Sequence, residues 1–290
     1  MLSLSDIVNV KVGIGRGVFE APGATVIGGK KPSFNLEILK LFANGEQGFW
    51  YDPNDIGTMY QDAAGTVPVT AVGQAVGLIK DKSGRNNHAY QTTSASRPIL
   101  RKNAVTGVNY LEFDGTDDFL VTNNIDFTAT DKVSLFAGVR KMPATTVNML
   151  CELSSSSTAE NQANAFYLAV PETPDGTVFF RSRATALSAQ IAKAGSGGGM
   201  RNCVITAKSD IPNDLNTVSI DGVLGTPSTV DLGIGKLGNY PLYIGRRGGI
   251  SFPFNGHLYS LIGVGRLTTD AETKALEKLI AKNTGVTLSV

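Results

Sequence analysis

The chain has 290 residues, 42% of them hydrophobic, and its 26 Lys and Arg nearly balance its 25 Asp and Glu. Such an apolar chain with few charges is not intrinsically disordered, and two cysteines in this length exclude a disulfide scaffold. The formal net charge of +1 predicts no nucleic-acid partner, and the lack of an apolar run of about 18–20 residues predicts no membrane partner.

The first segment, residues 1–42, is predicted to be an N-terminal arm that anchors the protein to something else. Glycine and proline interrupt residues 1–32, which leaves few side chains for a core. An N-terminal strand that joins the main sheet would have the same pattern, so both alternatives stay open. Residues 33–45 are predicted to contain a short helix, because an apolar stripe at helical spacing lies between a Ser cap and a Gly terminator. The stripe consists of Phe34, Ile38, Leu41 and Phe42.

From about residue 108 onward, apolar and polar residues alternate with the period of two that is typical of β-strands. Several of these runs are apolar on both faces, so we expect a second sheet on one side and another covering layer on the other. Asp-Gly and Asn-Gly pairs between the runs predict hairpin turns or β-bulges. The predicted fold is therefore mainly β, an antiparallel β-sandwich or jelly roll over residues 43–290. The runs are 133–139, 166–170, 203–208, 217–221 and 257–262, and the turn pairs are Asp114-Gly115, Asp175-Gly176, Asp221-Gly222 and Asn255-Gly256.

One further helix is predicted near the C-terminus. Thr269 and Glu272 have the spacing of a capping box, and Gly285 lies where a helix terminator is expected. An apolar stripe at helical spacing runs between them, so one face of this helix should pack against the sandwich.

No residue is assigned a catalytic role from motifs. The GxGxxG pattern at residues 233–238 precedes a strand-like run instead of the helix that a dinucleotide loop needs. His88 and His257 have no nucleophile in a recognisable elbow nearby, and His257 is predicted to be a strand residue whose ring is satisfied. Cys151 and Cys203 lie in strand-like runs and are predicted to be reduced core thiols.

An acidic segment near residue 114 offers two further interpretations. Glu112 and Asp114 share a strand face, as the catalytic acids of sandwich glycosidases do, but Gly115 ends the strand before the third acid, Asp117. A polysaccharide-cleaving glycosidase that uses Glu112 and Asp114 is therefore kept as an alternative function. Asp114, Asp117 and Asp118 also form a loop cluster that suits calcium, and a hairpin turn with solvated carboxylates is the simpler interpretation. No metal site is assigned, and calcium stays a possible cofactor.

Three other groups of residues have both a binding and a structural interpretation. Arg181 and Arg183 share a strand face and suit an acidic glycan or a partner carboxylate, and the same holds for the adjacent pair Arg246-Arg247. Solvated surface arginines would have the same pattern. The adjacent Trp50-Tyr51 suits stacking on a sugar ring, although large aromatic residues more often belong to the core.

Taken in order, five motifs over residues 108–283 resemble the laminin-G-like, concanavalin A-like lectin and glucanase sandwich. The motifs are YLEFDGTDDFL at 110–120, VSLFAGV at 133–139, VITAK at 204–208 with NTVSIDGV at 216–223, LYIG at 242–245 with FNGHL at 254–258, and LTTDAE at 267–272. The resemblance implies a concanavalin A-like jelly roll that binds sugars or proteins through its rim loops. The acid triplet of the enzymes is incomplete here, and no ligand-binding residue of the family can be matched.

Residues 43–100 resemble a segment found before this sandwich in tailed-bacteriophage proteins. The similar pieces are GFWYDP at 48–53, VGLIKDKSGRNNHA at 76–89 and Arg97-Pro98, and LSLSDIVNV at 2–10 is similar to the start of some tail-tube and sheath proteins. The resemblance implies a structural protein of the virion, located on the tail, neck, fibre or head surface and made in the bacterial cytoplasm. We expect the arm to bind other virion proteins, the sandwich to bind host glycan or virion proteins, and the chain to form a homo-oligomer by exchange of arms.

Overall fold

The computed structural model describes residues 34–143, 145–155, 162–186, 191–195 and 199–289. The described residues form two α-helices, α1 (Phe34–Leu39) and α2 (Asp270–Thr284), and seventeen strands that lie between them in the sequence. Short 3-10 turns occupy Lys40–Phe42, Ile56–Thr58, Ser94–Ser96 and Ile211–Asn213. The strands are β1 Gly48–Tyr51, β2 Met59–Tyr60, β3 Leu78–Ile79, β4 Ala89–Tyr90, β5 Ile99–Lys102, β6 Asn109–Asp114, β7 Leu120–Asp126, β8 Lys132–Lys141, β9 Met149–Leu153, β10 Ala165–Ala169, β11 Val178–Arg183, β12 Ile191–Ala194, β13 Arg201–Asp210, β14 Leu215–Ile220, β15 Val223–Leu224, β16 Asn239–Ile244 and β17 Asn255–Val264.

The strands form two antiparallel sheets. Sheet A has the order β15-β14-β13-β8-β17-β6-β5, and β1 also pairs with β17. Sheet B has the order β12-β11-β10-β9-β16-β7-β4-β3-β2. Neighbours in each sheet are often far apart in sequence, as in a jelly roll, and the predicted mainly β antiparallel sandwich with a C-terminal helix is confirmed.

The main core lies between the sheets and follows the predicted alternation. In β8, Val133, Leu135, Ala137 and Val139 all belong to this core, whereas Phe136 points to the opposite side of sheet A. On that opposite side a second apolar cluster joins Phe136 to α1, α2 and Trp50. The covering layer that the two-sided apolar strands predict is therefore the pair of helices.

Helix α2 begins and ends as its sequence predicts. The Thr269 side chain accepts a hydrogen bond from the Glu272 N–H, and the Glu272 carboxylate accepts one from the Thr269 N–H, which completes the capping box. Gly285 terminates the helix in the left-handed conformation at φ +74°. Gly138 of β8 lets the helix approach, because a Cβ at this residue would lie 2.6 Å from Cγ2 of Ile280.

The helix predicted over residues 33–45 is present in a shorter form, as α1 and the 3-10 turn that follows it. Ile38, Leu41 and Phe42 are buried in the cluster with α2. Residues 34–42 were assigned to the arm from the sequence, and the remaining arm residues, 1–33, lie outside the described part of the chain. Ser33, the expected cap, is among them.

Three of the four predicted turn pairs are turns. Asp221 and Gly222 connect β14 to β15 with φ values of +54° and +83°, a conformation that Asp and Gly tolerate better than most residues. The prediction is wrong for Asn255-Gly256, which begins strand β17 and pairs with β6. Gly256 is needed there for close packing, since a Cβ would lie 2.4 Å from the Arg140 carbonyl oxygen.

The structure describes the GxGxxG segment and the helices of residues 34–289. Residues 233–238 of the GxGxxG pattern form a loop that leads into β16, with no helix after it. Among the residues described, no helix combines the length and the apolar character needed to span a bilayer.

Candidate functional site

Trp50 and Tyr51 are core residues, so the sugar-stacking interpretation of this pair is wrong. Each is only 1% exposed, and the two rings point to opposite sides of sheet A, into the helix-covered cluster and the main core. The ammonium of Lys82 lies 4.4 Å from the Trp50 ring centre. Cys151 and Cys203 are buried and unpaired, as predicted. His88 accepts a hydrogen bond from the Asp81 N–H at 3.1 Å and so has a structural role.

The two arginine pairs are not the solvated surface residues that one interpretation expected. Arg181 and Arg183 share the outward face of β11, as predicted, but both are buried. Arg247 is also buried, donates to the Glu152 carboxylate at 3.2 Å, and lies over the rings of Tyr167 and Phe252. Its neighbour Arg246 is partly exposed and donates to the Ile250 carbonyl oxygen. Arg247 thus anchors the loop after β16 to the outer face of sheet B.

Glu112 and Asp114 share the outward face of β6, as predicted, because Leu111 and Phe113 face the core. The strand ends at Asp114, so Asp117 lies in the following turn and no third acid continues the row. The Glu112 carboxylate accepts a hydrogen bond from Arg101 Nε at 2.6 Å. The Arg101 guanidinium therefore binds the Glu112 carboxylate, which a glycosidase would need free as its nucleophile.

The three aspartates after β6 form a compact cluster, as the sequence suggests. Ligand oxygens of Asp114, Asp117 and Asp118 all lie within 4.8 Å of one another. Asp114 accepts backbone N–H bonds from within the turn, Asp117 accepts from Ser96, and Asp118 accepts from the Asp114 N–H at 3.0 Å. These bonds build an ordinary Asp-rich turn, and the same carboxylates could hold a calcium ion. Burial, together with the negative charges of Asp114 and Asp117, raises the pKa of Asp118 to about 6.

Replacing Asp118 with Asn should stabilise the protein at pH 7.5 and not at pH 4. The folded chain holds the Asp118 proton up to about pH 6, whereas an unfolded chain releases it near pH 3.9, so wild-type stability falls as the pH rises through this window. Asn carries no charge, and the gain at pH 7.5 should reach up to about 3 kcal/mol. Urea unfolding at both pH values measures it, and equal stabilities of the two proteins at pH 7.5 would contradict the assignment. Calcium gluconate should stabilise only the wild type if the cluster binds calcium.

An open cleft on the outward face of sheet A is the strongest candidate for a binding site. Its volume is about 300 Å³, the lower end of the range for small-ligand sites. The cleft lies between the β5–β6 hairpin, the end of β8 and the start of β17. Its lining residues are Lys102, Asn103, Ala104, Val105, Tyr110, Arg140, His257 and Tyr259.

The floor of this cleft is aromatic. The rings of Tyr110 and His257 are stacked with centres 4.0 Å apart and planes 14° from parallel. Tyr259 lies against Tyr110 at 5.2 Å and accepts a hydrogen bond from Asn103 at 2.9 Å. Tyr110 is partly exposed, whereas Tyr259 is buried. Tyr110 therefore offers a ring face or edge that neighbouring side chains hold in place.

The walls of the cleft carry polar groups with unused hydrogen-bonding capacity. The side chains of Arg140 and Lys102 make no hydrogen bond or ion pair with the described residues, and Arg140 Nε is buried. His257 Nδ1 is buried and also lacks a partner, so the prediction of a satisfied ring is wrong. Burial, together with the positive charge of Arg140 and against the opposing effect of Glu112, lowers the pKa of His257 to about 4. His257 is therefore neutral at physiological pH, and the 4.0 Å between its Nε2 and Glu112 is not an ion pair.

The chemistry of the cleft is that of a binding site for a polar ring with a negative charge. An aromatic floor suits the apolar face of a sugar, and a free guanidinium suits a carboxylate. Among the described residues, no carboxylate lines the cleft. Sequence reasoning missed this site because its residues come from β5–β6, β8 and β17, which only the sheet order brings together. The one available signal was the pair of polar aromatic residues His257 and Tyr259 on one strand face.

No protein-family model matches the chain, and a search of curated proteins also finds no match. Solved structures with a similar fold include the botulinum neurotoxin serotype D binding domain, with a TM-score of 0.52, 11% identity, and coverage of 69% of this chain and 48% of that one. The receptor-binding domain of the mosaic serotype C/D toxin has a TM-score of 0.55, 10% identity, and coverage of 81% and 51%. The serotype D ligand-binding domain in complex with N-acetylneuraminic acid has a TM-score of 0.52, 11% identity, and coverage of 71% and 49%.

The aligned region spans about half the length of these toxin domains, and the low identity means that the likeness concerns the fold. These neighbours are binding domains with a lectin-like β-sandwich rather than enzymes. They are not phage proteins, so the phage resemblance of residues 43–100 stays a prediction.

Proposed function

We propose that this protein binds carbohydrate in the cleft between β5–β6, β8 and β17, and that its preferred ligands are acidic sugars. The observation that supports this most is that one open site contains both the Tyr110 ring and the Arg140 guanidinium, which has no hydrogen-bond or ion-pair partner among the described residues. A ring that stacks on the sugar and a cation that binds its carboxylate fix two separate points of the ligand. Neutral His257 lines the same cleft and is stacked against the Tyr110 ring, which it helps to hold in place.

A glycan array tests the proposal directly. The full chain should bind glycans that carry sialic or uronic acid and should bind their neutral counterparts about tenfold or more weakly, because only the acidic forms make the charge-assisted bond with Arg140. Arg140→Met should reduce both the signal and the preference for acidic glycans. Lys236→Met is the matched control, because it removes an exposed cation that does not line the cleft. It should change neither the signal nor the preference for acidic glycans. Absence of any acidic-glycan signal would contradict the proposal.

The proposed activity is binding without cleavage. Arg101 holds Glu112, and no third acid continues the row on β6, which argues against hydrolysis by Glu112 and Asp114. Incubation of the protein with its array ligands should therefore release no fragments detectable by mass spectrometry. Fragments that disappear in the Glu112→Gln variant would instead favour the glycosidase alternative.

The proposed location of this binding activity is a bacteriophage particle. The support is the resemblance of residues 43–100 and 2–10 to phage proteins, and the arm would hold the sandwich on other virion proteins as a homo-oligomer. Immunogold electron microscopy of particles from the producing host should place the chain on the tail, neck, fibre or head surface. Deletion of residues 1–32 should abolish incorporation and leave the sandwich folded. A chain that never sediments with particles would contradict this location and leave the glycan proposal standing.

A further inference from the structure

The tip of the β5–β6 hairpin forms one wall of the proposed glycan cleft, and this wall is apolar. Ala104 and Val105 line the cleft there, and both are exposed. Val105 is 94% exposed, the largest fraction among the exposed large hydrophobic residues that the structure describes. Single exposed apolar residues are common on protein surfaces, but this one borders an open site. It therefore offers apolar surface to a ligand in the cleft.

Asn103 holds the hairpin tip in place. Its Oδ1 accepts hydrogen bonds from the N–H groups of Val105 at 2.8 Å and Thr106 at 3.2 Å, and its Nδ2 donates to the Tyr259 hydroxyl at 2.9 Å. The N–H of Gly107, a residue with φ +71°, closes the turn onto the Asn103 carbonyl oxygen at 2.9 Å. One side chain thus ties the turn that contains Val105 to the aromatic floor. A wall that is fixed before the ligand arrives loses little conformational freedom on binding.

The apolar wall and the carboxylate-binding cation lie on opposite sides of the cleft. Arg140 is on β8, and the order of sheet A places β17 between β8 and the β6 strand of the hairpin. Two strand spacings, roughly 10 Å, therefore separate the two sides. A sugar whose carboxylate contacts Arg140 presents the far side of its ring to Val105.

The chemistry of the far wall selects the substituent that fits there. A second carboxylate or a hydroxyl would lose water against Ala104 and Val105, whose side chains give no hydrogen bond in return. A short acyl amide instead places a methyl group against Val105. Lys102 lines the cleft at the base of the same wall and makes no hydrogen bond or ion pair with the described residues, so it is available to donate to the amide carbonyl oxygen.

We infer that the cleft prefers acidic sugars with an N-acyl group, such as acetamido, on the side of the ring opposite the carboxylate. Val105 is the residue that determines this specificity. The inference rests on the proposed glycan-binding function and narrows its ligand class.

NMR titration of the full chain with two matched pairs of probes tests the inference. The first pair is N-acetylneuraminic acid and its analogue with a hydroxyl in place of the acetamido group. The second is N-acetylgalactosaminuronic acid and galacturonic acid. In at least one pair the acetamido probe should bind roughly tenfold more tightly, since it buries one more methyl group and gains one hydrogen bond.

Val105→Ser should reduce this preference to about threefold and should leave the affinity for the hydroxyl probe unchanged within about twofold, because only the methyl contact is lost. Its melting temperature should equal that of the wild type, since Val105 is 94% exposed. Val230→Ser is the matched control, because Val230 is an exposed valine that does not line the cleft. It should keep the tenfold preference.

Equal affinities within both pairs, with binding still lost in Arg140→Met, would overturn the inference and leave the acidic-sugar proposal standing. A preference for the acetamido probe that is unchanged in Val105→Ser would also overturn it, because another residue would then select the acyl group. Failure of every probe to bind would contradict the glycan-binding function itself, and this inference with it.

Discussion

Replacing Arg247 with Met should lower the free energy of unfolding by about 3–5 kcal/mol, as removal of one partner of a buried ion pair does. The reason is the burial of both partners, since the side chains of Arg247 and Glu152 are only 4% and 1% exposed. The guanidinium also lies 4.9 Å from the ring centre of Tyr167 and 5.0 Å from that of Phe252. Met fills part of the volume but removes the charge-assisted bond that the buried Glu152 carboxylate accepts from Arg247.

Urea unfolding followed by circular dichroism measures this change. Arg246→Met is the matched control, because Arg246 is the adjacent residue, is partly exposed, and contacts a carbonyl oxygen instead of a carboxylate. It should change stability by less than about 1 kcal/mol. The double variant Arg247→Met with Glu152→Gln should recover part of the loss, since both charges of this pair are then removed together. A loss below about 1 kcal/mol for Arg247→Met would show that the pair is not a main anchor of the loop after β16.

Replacing Tyr110 with Ala should weaken binding of the acidic glycan by about 2 kcal/mol, or roughly thirtyfold. Tyr110 supplies the exposed part of the aromatic floor, and its loss also removes the ring against which His257 is stacked at 4.0 Å. Arg140→Met should weaken binding by roughly tenfold to a hundredfold through loss of the charge-assisted bond. Titration calorimetry with a soluble acidic oligosaccharide from the array measures both.

Tyr110→Phe is the conservative control, because it keeps the ring stack and should retain most of the affinity. Binding should stay constant from pH 5.5 to pH 8, since His257, with a pKa of about 4, remains neutral throughout this range. Affinity that is unchanged in both Tyr110→Ala and Arg140→Met would move the site away from this cleft. A steep loss of affinity near pH 6.5 would show that a histidine with an ordinary pKa takes part.

Local sequence signals predict the elements of this fold well. The alternation in β8 and β13 assigns each side chain to a sheet face because the strand period is two, and the capping box of α2 is formed by neighbouring residues. Both signals are complete within a few residues of chain. The same reasoning fails at Asn255-Gly256, where the glycine serves close packing against β8 rather than a turn.

The candidate site could not be predicted in the same way, because it depends on which strands become neighbours. Arg140 and His257 face each other across the β8–β17 pair, although more than a hundred residues separate them in sequence. Whether a side chain is buried also depends on residues that are distant in the sequence. Arg181 and Arg183 have the pattern of solvated surface arginines, and nothing in β11 itself indicates that this face of sheet B is covered.

A crystal structure of the protein with its best acidic array ligand tests the central claim most directly. The account predicts density for the sugar against the ring of Tyr110, with its carboxylate within hydrogen-bonding distance of the Arg140 guanidinium. Density for the ligand on the outer face of sheet B, or an empty cleft at a saturating ligand concentration, would contradict it.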